Sequence, residues 1–251
     1  MNPARERFMA AIRGATRMVA FTGAGISTES GVPDFRTPGS PWMVNKPIPF
    51  DAYLASAEVR KEAWRRKFVM DDLYRGAEPS TGHRVMADLV RKGRMQAIIT
   101  QNIDGLHQAA GVPEARVIEV HGNGTYARCL ECHTRHELAV IRAHFETHGH
   151  PPACQACGGI VKSATISFGQ RMPEAAVQRA QRLAEDCDLF LVVGSSLVVY
   201  PAAFLPVLAQ RNGARLVIVN REPTPLDDQA DDVVRGEIGE VLTGLAGNHN
   251  D

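Results

Sequence analysis

Met18-Val19-Ala20-Phe21-Thr22-Gly23-Ala24-Gly25-Ile26-Ser27 joins a short apolar run to a glycine-spaced turn. An aliphatic run without polar alternation is the pattern of a strand buried on both faces of a parallel sheet. Four similar runs follow, at Met95–Thr100, Val117–Val120, Leu189–Val193 and Leu216–Val219. Between them lie helical patterns at Pro79–Lys92, Pro173–Glu185 and Pro201–Gln210. Each opens on a proline, which the start of a helix tolerates. Strands alternating with helices predict an α/β fold, a Rossmann-like, doubly wound parallel sheet. Almost every unusual polar group follows directly on one of these strands. In an open sheet of this kind, such groups converge on a crevice beyond the carboxyl ends of the strands.

The 251 residues are 44% hydrophobic and 22% charged, ordinary globular usage that excludes wholesale disorder. A chain of this length buries a full core without disulfide help. Lys and Arg (28) balance Asp and Glu (28), so no basic field drives strong nucleic-acid binding. No run approaches the roughly 18 apolar residues of a membrane span. Charges also interrupt Met1–Arg13, where a signal peptide needs an apolar centre. A cytoplasmic enzyme is expected. In that reducing setting the pairs Cys129/Cys132 and Cys154/Cys157 are expected to bind metal rather than to form disulfides. Four thiolates make the closed tetrahedral set of a structural zinc, with no position left for a catalytic water. Cys187, between Asp186 and Asp188, has no such partner and is expected to pack as a small hydrophobe.

The domain plan follows from these breaks in the alternation. Residues 123–163 form an inserted four-cysteine zinc module in a Rossmann-like domain made of 1–122 and 164–251. Gly31–Phe50 is too long and too rich in Pro and Gly for a simple connector, and is expected to be a functional loop. It leads into the charged helical stretch Asp51–Arg75, part of a helical cover at about residues 40–76.

Each polar motif has a functional and a plainer reading. Gly23-Ala24-Gly25-Ile26-Ser27 is suited to backbone approach to a pyrophosphate at a helix N-terminus, or is simply a tight turn. Thr28 stands where a dehydrogenase fingerprint has its third glycine, and no acidic ribose reader follows about 20 residues on, which ranks a dehydrogenase last. Asp34-Phe35-Arg36 offers a carboxylate, a ring and a guanidinium to a cofactor, or an ion pair that pins a loop. Gln101-Asn102-Ile103-Asp104 has side chains for a carboxamide or ribose hydroxyls, or caps a helix. His121, at a strand's carboxyl end, has the intrinsic pKa of a general base near neutrality. Gly194-Ser195-Ser196 and Asn220-Arg221-Glu222 follow later strands, where they hold adenosine or cap loops.

Taken in order, these segments resemble the sirtuins from about Gly14 to Leu245. The resemblance includes Gly31-Val32-Pro33-Asp34-Phe35-Arg36, Thr100 to His107, His121-Gly122-Asn123, both cysteine pairs, Ser167-Phe168-Gly169, and Gly194 to Pro201. It implies an NAD-dependent protein lysine deacylase that splits NAD, releases nicotinamide and forms O-acyl-ADP-ribose. By the same resemblance His121 is the general base and Asn102 positions the ribose or a water. Ile103 and Asp104 hold the carboxamide, and Phe35 shields the reacting carbon. Gly23, Ala24, Gly25, Ser27, Thr28, Asp34, Arg36, Trp42 and Gln101 belong to the cofactor loops. Gly194, Ser195, Ser196, Asn220, Arg221, Glu222 and Ile238 lie on the adenosine side. The resemblance also implies that Cys129, Cys132, Cys154 and Cys157 hold structural zinc. An acyl-lysine peptide is expected to pair with backbone near Phe168, Gly169 and Val198.

Three positions depart from the family pattern. Gln170 stands where Glu is frequent, and Trp42 where many members carry Tyr. Trp64-Arg65-Arg66-Lys67 replaces the Tyr-x-x-Arg pair of members that read acidic acyl groups, so neutral groups such as acetyl are expected. Two other readings are a mono-ADP-ribosyltransferase using the same crevice and a non-catalytic zinc or NAD binding module.

Overall fold

The computed structural model describes residues 3–35 and 37–246. In chain order the strands are β1 (Met18–Thr22), β2 (Met95–Thr100), β3 (Val117–Glu119), β4 (Gly122–Cys129), β5 (Arg135–Glu137), β6 (Val161–Thr165), β7 (Leu189–Val193), β8 (Arg215–Val219) and β9 (Asp232–Val234). The helices are α1 (Pro3–Gly14), α2 (Phe50–Ala55), α3 (Ala57–Leu73), α4 (Thr81–Arg91), α5 (Leu106–Ala109), α6 (Leu138–His148), α7 (Glu174–Asp186), α8 (Leu205–Arg211) and α9 (Ile238–Ala246). None is long and apolar enough to cross a membrane.

Six strands form one parallel sheet in the order β3-β2-β1-β7-β8-β9. The side-chain period of two divides each central strand between two cores. Met18 and Ala20 of β1 join Leu191, Val193, Val217 and Val219 under α1, α4 and α9, where Phe8, Met86, Leu89 and Leu242 meet them. Val19 and Phe21 point the other way with Phe190, Val192, Leu216 and Ile218, under Ala180 and Ala184 of α7 and Ala209 of α8. Burial on both faces explains why these strands carry apolar residues without alternation. The chain runs outward from β1 to β3 and returns at β7 beside β1. The strand order therefore reverses between β1 and β7, which makes that junction the switch point of the sheet.

A second, antiparallel sheet has the order β5-β4-β6. Its small core unites Ala127, Cys129, Cys154 and Val161 with Ile141 of α6 and with Trp64 and Phe68 of α3. The helical cover and the cysteine-bearing sheet thus share one core. Tyr53 of α2 adds to the joint, its hydroxyl donating to the Val161 carbonyl at 2.8 Å.

Several local expectations change. The prolines lie outside the α-helices they precede: Ser80, not Pro79, caps α4, and Pro173 caps α7. The stretch after Pro201 divides into a 3-10 turn at Ala202–Phe204 and then α8. Asp51–Arg75 contains two helices, because Ser56 is extended at φ −141° and its hydroxyl accepts from Val59 N at 3.4 Å, starting α3. Gly23 leads into a 3-10 helix, Ala24–Ser30, that contains Gly25, rather than into an α-helix. The helices α1 and α9, the three-residue β9 and the antiparallel sheet are additional to the sequence reading.

Candidate active site

Both loops at the switch point are built around glycine, for a reason of packing. Gly25 N donates to the Gly194 carbonyl at 2.8 Å, and Gly23 N to the Val193 carbonyl at 3.1 Å. A Cβ on Gly25 would lie 2.8 Å from Gly194 Cα, and one on Gly194 2.5 Å from Ile26 N. Gly194 also sits at φ +64°, a backbone region that side chains disfavour. The glycines expected to approach a pyrophosphate therefore approach one another's backbone first. Ile238, at the start of α9, and Ile26 close the gap behind them, both buried.

The segment after β2 crosses this junction. Gln101 donates from Nε2 to Ser195 Oγ at 2.8 Å, tying the β2 and β7 loops. Asn102 donates from Nδ2 to the Gly23 carbonyl at 3.1 Å and to Ser27 Oγ at 3.2 Å. Ser27 Oγ in turn donates to Asp104 Oδ2 at 2.7 Å. Asp104 also accepts from Leu106 N at 2.9 Å, so the capping reading holds for this residue alongside the network. Ile103 is fixed by its backbone, its carbonyl accepting from Gly124 N at 2.7 Å. Gln101, Asn102, Ile103 and Asp104 are all half-buried, accessible to a ligand yet shielded from bulk water.

His121 follows β3 and reaches the same place. Its Nδ1 lies 3.3 Å from the Gln101 carbonyl. A carbonyl only accepts, so Nδ1 carries the proton and Nε2 presents its lone pair. Burial lowers the His121 pKa, partly opposed by the Gln101 contact. The imidazole is thus neutral at pH 7 and able to take a proton.

A buried polar layer beneath these groups escaped the sequence reading. Thr22 donates to Thr100 Oγ1 at 2.8 Å and pairs with His107 Nε2 at 2.9 Å. Thr100 Oγ1 accepts from Asn102 N at 3.0 Å. Asn102 is therefore oriented from below through two strand-end threonines that look like ordinary strand residues in sequence. Glu119 accepts from Asn123 Nδ2 at 2.6 Å and Gln108 Nε2 at 2.7 Å, and burial raises its pKa.

The Gly31–Phe50 loop is ordered by its own side chains. Asp34 accepts from Thr37 N and Oγ1, both at 2.7 Å, and its carbonyl accepts from Ser40 Oγ. Phe35 stacks on Trp42 with centroids 4.5 Å apart, and Trp42 Nε1 donates to the Pro33 carbonyl at 3.0 Å. Arg36 lies outside the described residues. On the far side, Asn220 donates to the Glu222 carbonyl at 2.7 Å, while Arg221 pairs loosely with Glu222 and Glu237 at 3.4 and 3.5 Å. Thr28 donates to the Gly25 carbonyl at 3.0 Å, and Ala24 opens the 3-10 helix. Ser196 lies in the loop after β7.

Phe168 and Val198 are exposed, and Gly169 has φ +82°. Gln170 turns back, its Oε1 accepting from Ser167 N at 3.1 Å. The Phe168 carbonyl accepts from Phe50 N at 2.9 Å, linking this wall to the cover.

The four cysteines expected to bind metal come together. All four sulfurs lie within 4.8 Å of one another, with Cys129–Cys157 at 3.5 Å and Cys132–Cys154 at 3.6 Å. A disulfide needs about 2.05 Å. A tetrahedron of sulfurs 2.3 Å from a zinc ion has edges of about 3.8 Å, close to these spacings. The donor set fits zinc. Cys187 is buried and apart, donating to the Ala184 carbonyl at 3.3 Å.

Residues 23–201 match the model of the Sir2 family. The chain is 56% identical over 234 residues to an NAD-dependent protein deacetylase of Rhodopseudomonas palustris, covering 93% of this chain and 92% of that one. It is 54% identical to NAD-dependent protein deacetylase 1 of Bradyrhizobium diazoefficiens, covering 97% and 95%. A solved structure described as "Sir2-p53 peptide-NAD+" superposes with a TM-score of 0.84 at 36% identity, covering 96% of each chain. Given this fold, this cysteine cluster and these likenesses, the chain belongs to the Sir2 family.

Proposed function

We propose that this chain is an NAD-dependent protein lysine deacetylase that releases nicotinamide and forms O-acetyl-ADP-ribose. The observation carrying this reading is the meeting of His121 with the Gln101–Asp104 segment and the Gly23–Ser27 loop at the switch point. The curated relatives carry the same activity in their names. A related Sir2 structure contains deacetylated p53 peptide together with 3'-O-acetyl ADP ribose.

NAD, when bound, supplies an activated ribose carbon and nicotinamide as its leaving group. In this reading His121 Nε2 accepts a proton from a ribose hydroxyl, while the Gln101 carbonyl keeps Nδ1 protonated and the ring turned inward. Asn102 holds the ribose or a water. Asp104 and the Ile103 backbone hold the carboxamide. Phe35, backed by Trp42, excludes water from the reacting carbon, and Asp34 and Arg36 belong to the same loop. Gly23, Ala24, Gly25, Ser27, Thr28 and Gln101 line the phosphate and ribose side. Gly194, Ser195, Ser196, Asn220, Arg221, Glu222 and Ile238 line the adenosine side.

The acyl-lysine peptide lies between Phe168–Gly169 and Val198, pairing with backbone and so tolerating varied sequence. A neutral acyl group fits the cover helix. Trp64 is buried, Arg65 and Arg66 both bind Glu62, and Lys67 binds Asp71, so these cations are already engaged. Zinc at Cys129, Cys132, Cys154 and Cys157 is structural and completes the small lobe formed by residues 123–163 with the cover. We infer a cytoplasmic location from the unpaired thiols, which suit a reducing compartment.

The test incubates purified protein with an acetyl-lysine peptide, with and without NAD, followed by mass spectrometry. Deacetylated peptide, nicotinamide and O-acetyl-ADP-ribose are expected together, only with NAD. ADP-ribose appearing on protein in their place would instead identify a transferase.

A further inference from the structure

The end of helix α6 and the turn after it read His144-Phe145-Glu146-Thr147-His148-Gly149-His150, a stretch that the crevice does not use. Residues four apart share a helix face. His144 and His148 accordingly stack, with ring centroids 4.2 Å apart and planes 22° apart. Gly149 then takes a left-handed conformation at φ 73°, donates to the Phe145 carbonyl and reverses the chain. The reversal brings the His150 ring edge-on to His144 at 5.3 Å, and to 6.1 Å from His148. Three imidazoles from a seven-residue stretch therefore crowd one patch of the small lobe.

The hydrogen bonds choose which nitrogens remain available. His148 Nδ1 pairs with the His144 carbonyl at 3.0 Å, and His150 Nδ1 with the Pro151 carbonyl at 3.1 Å. Both partners only accept, so each Nδ1 bears the proton and each Nε2 offers a lone pair. An imidazole anchored through one nitrogen to a carbonyl is the usual arrangement of a metal-ligating histidine. His144 Nε2 has no partner among the described residues.

We propose that His144, His148 and His150 form a second metal site, for one divalent transition-metal ion of the nickel, copper and zinc class. Imidazole ligands without carboxylates suit that class and not magnesium or calcium, which take oxygen ligands. The site differs from the cysteine cluster in donor type, although both belong to the 123–163 module. Among the described residues only the four cysteines already hold their ligand atoms within 4.8 Å of one another. Binding therefore turns the rings from stacked to convergent. His148 and His150 are exposed, so they turn without disturbing the core. An ion held there would brace the last turn of α6, the helix whose Phe145 packs edge-on against Phe68 of α3 at 5.5 Å.

The test titrates nickel chloride into protein already carrying one zinc per chain, followed by calorimetry. One further equivalent is expected to bind, with the zinc retained. His150→Ala, beyond the helix, and His144→Ala are each expected to weaken nickel binding by about 10- to 100-fold, the scale on which metal sites lose affinity when a supporting group is removed. The proposal is overturned if no second equivalent binds, or if both variants bind nickel as the parent does.

Discussion

The two sheets are stabilised in different ways. The six-stranded sheet lies between two extensive aliphatic clusters. The three-stranded sheet shares with the cover a core of seven buried residues among the described ones, and two of those seven are cysteines. A core that small contributes little on its own, which is where nature adds metal or other covalent staples. In this chain apolar burial builds the scaffold of the crevice, and a cluster of four cysteines holds together the small lobe beside it.

Removing zinc should have the largest effect, and on the small lobe alone. Structural zinc sites in small domains contribute about 10–16 kcal/mol of apparent binding energy, most of which is folding energy. Chelation, or Cys129→Ser, is expected to unfold the antiparallel sheet and to abolish peptide deacetylation. The parallel sheet should stay folded, with the loss of order confined to the small lobe in hydrogen exchange.

Next in size is His121→Ala, which should lower kcat by about 10²- to 10⁴-fold, the usual worth of a general base. The thermal melt should not change, because the ring is half-buried at a loop and carries no core packing. In the parent, kcat/KM should fall on the acid side below pH 6.5, since burial lowers the pKa of a base that must be neutral. An acid limb above pH 6.5 would contradict this.

Gly194→Ala should cost about 1–3 kcal/mol of stability from overpacking, with backbone strain in addition, and should weaken NAD binding. Denaturant unfolding and NAD calorimetry would measure both. A variant as stable as the parent would show that the β1 and β7 loops are not as tightly joined as their 2.8 Å hydrogen bond indicates.

Acid is expected to lower stability on a similar scale. Burial lowers the pKa of His83 to about 4 and of His107 to about 3, against 6.5 for the free side chain. The folded protein keeps both neutral, whereas the unfolded chain takes up protons below pH 6.5. The stability is therefore fully present above pH 6.5 and is lost as the pH falls from there through the folded values. Thermal melts between pH 8 and pH 5 should show the decline, and His83→Gln should flatten it. The least effect is expected at Glu62→Gln, which breaks exposed ion pairs on α3 worth about 0.3–0.5 kcal/mol.

Much of this was legible in sequence, for physical reasons that differ between the sheets. Strands buried on both faces must be apolar, so β1 and β7 appear as uninterrupted runs, β2 as a run broken only at the partly buried Gln96, and their ends mark the crevice. The antiparallel sheet leaves no such trace. Its β4 begins with Gly122-Asn123-Gly124-Thr125 and carries Arg128, because one face is solvated and the pairing is irregular between Gly122 and Ala127. The cysteine spacing revealed the metal set, yet gave no sign that Trp64 and Phe68 would complete its core from a distant helix. Thr22 and Thr100 were hidden for the opposite reason. Each ends an apolar strand, and only the structure puts the two hydroxyls 2.8 Å apart beneath Asn102. The glycines of the turn suit either phosphate approach or a tight turn, and the partner they meet first is Gly194, which follows a strand far along the chain.

The measurement that bears most directly on the account is the stoichiometry of turnover: nicotinamide released and acetyl-lysine peptide deacetylated, counted in the same samples under steady state. One nicotinamide is expected for each lysine freed, with neither product when peptide or NAD is omitted. Deacetylation without NAD, or nicotinamide release that leaves the acetyl group on the peptide, would contradict it.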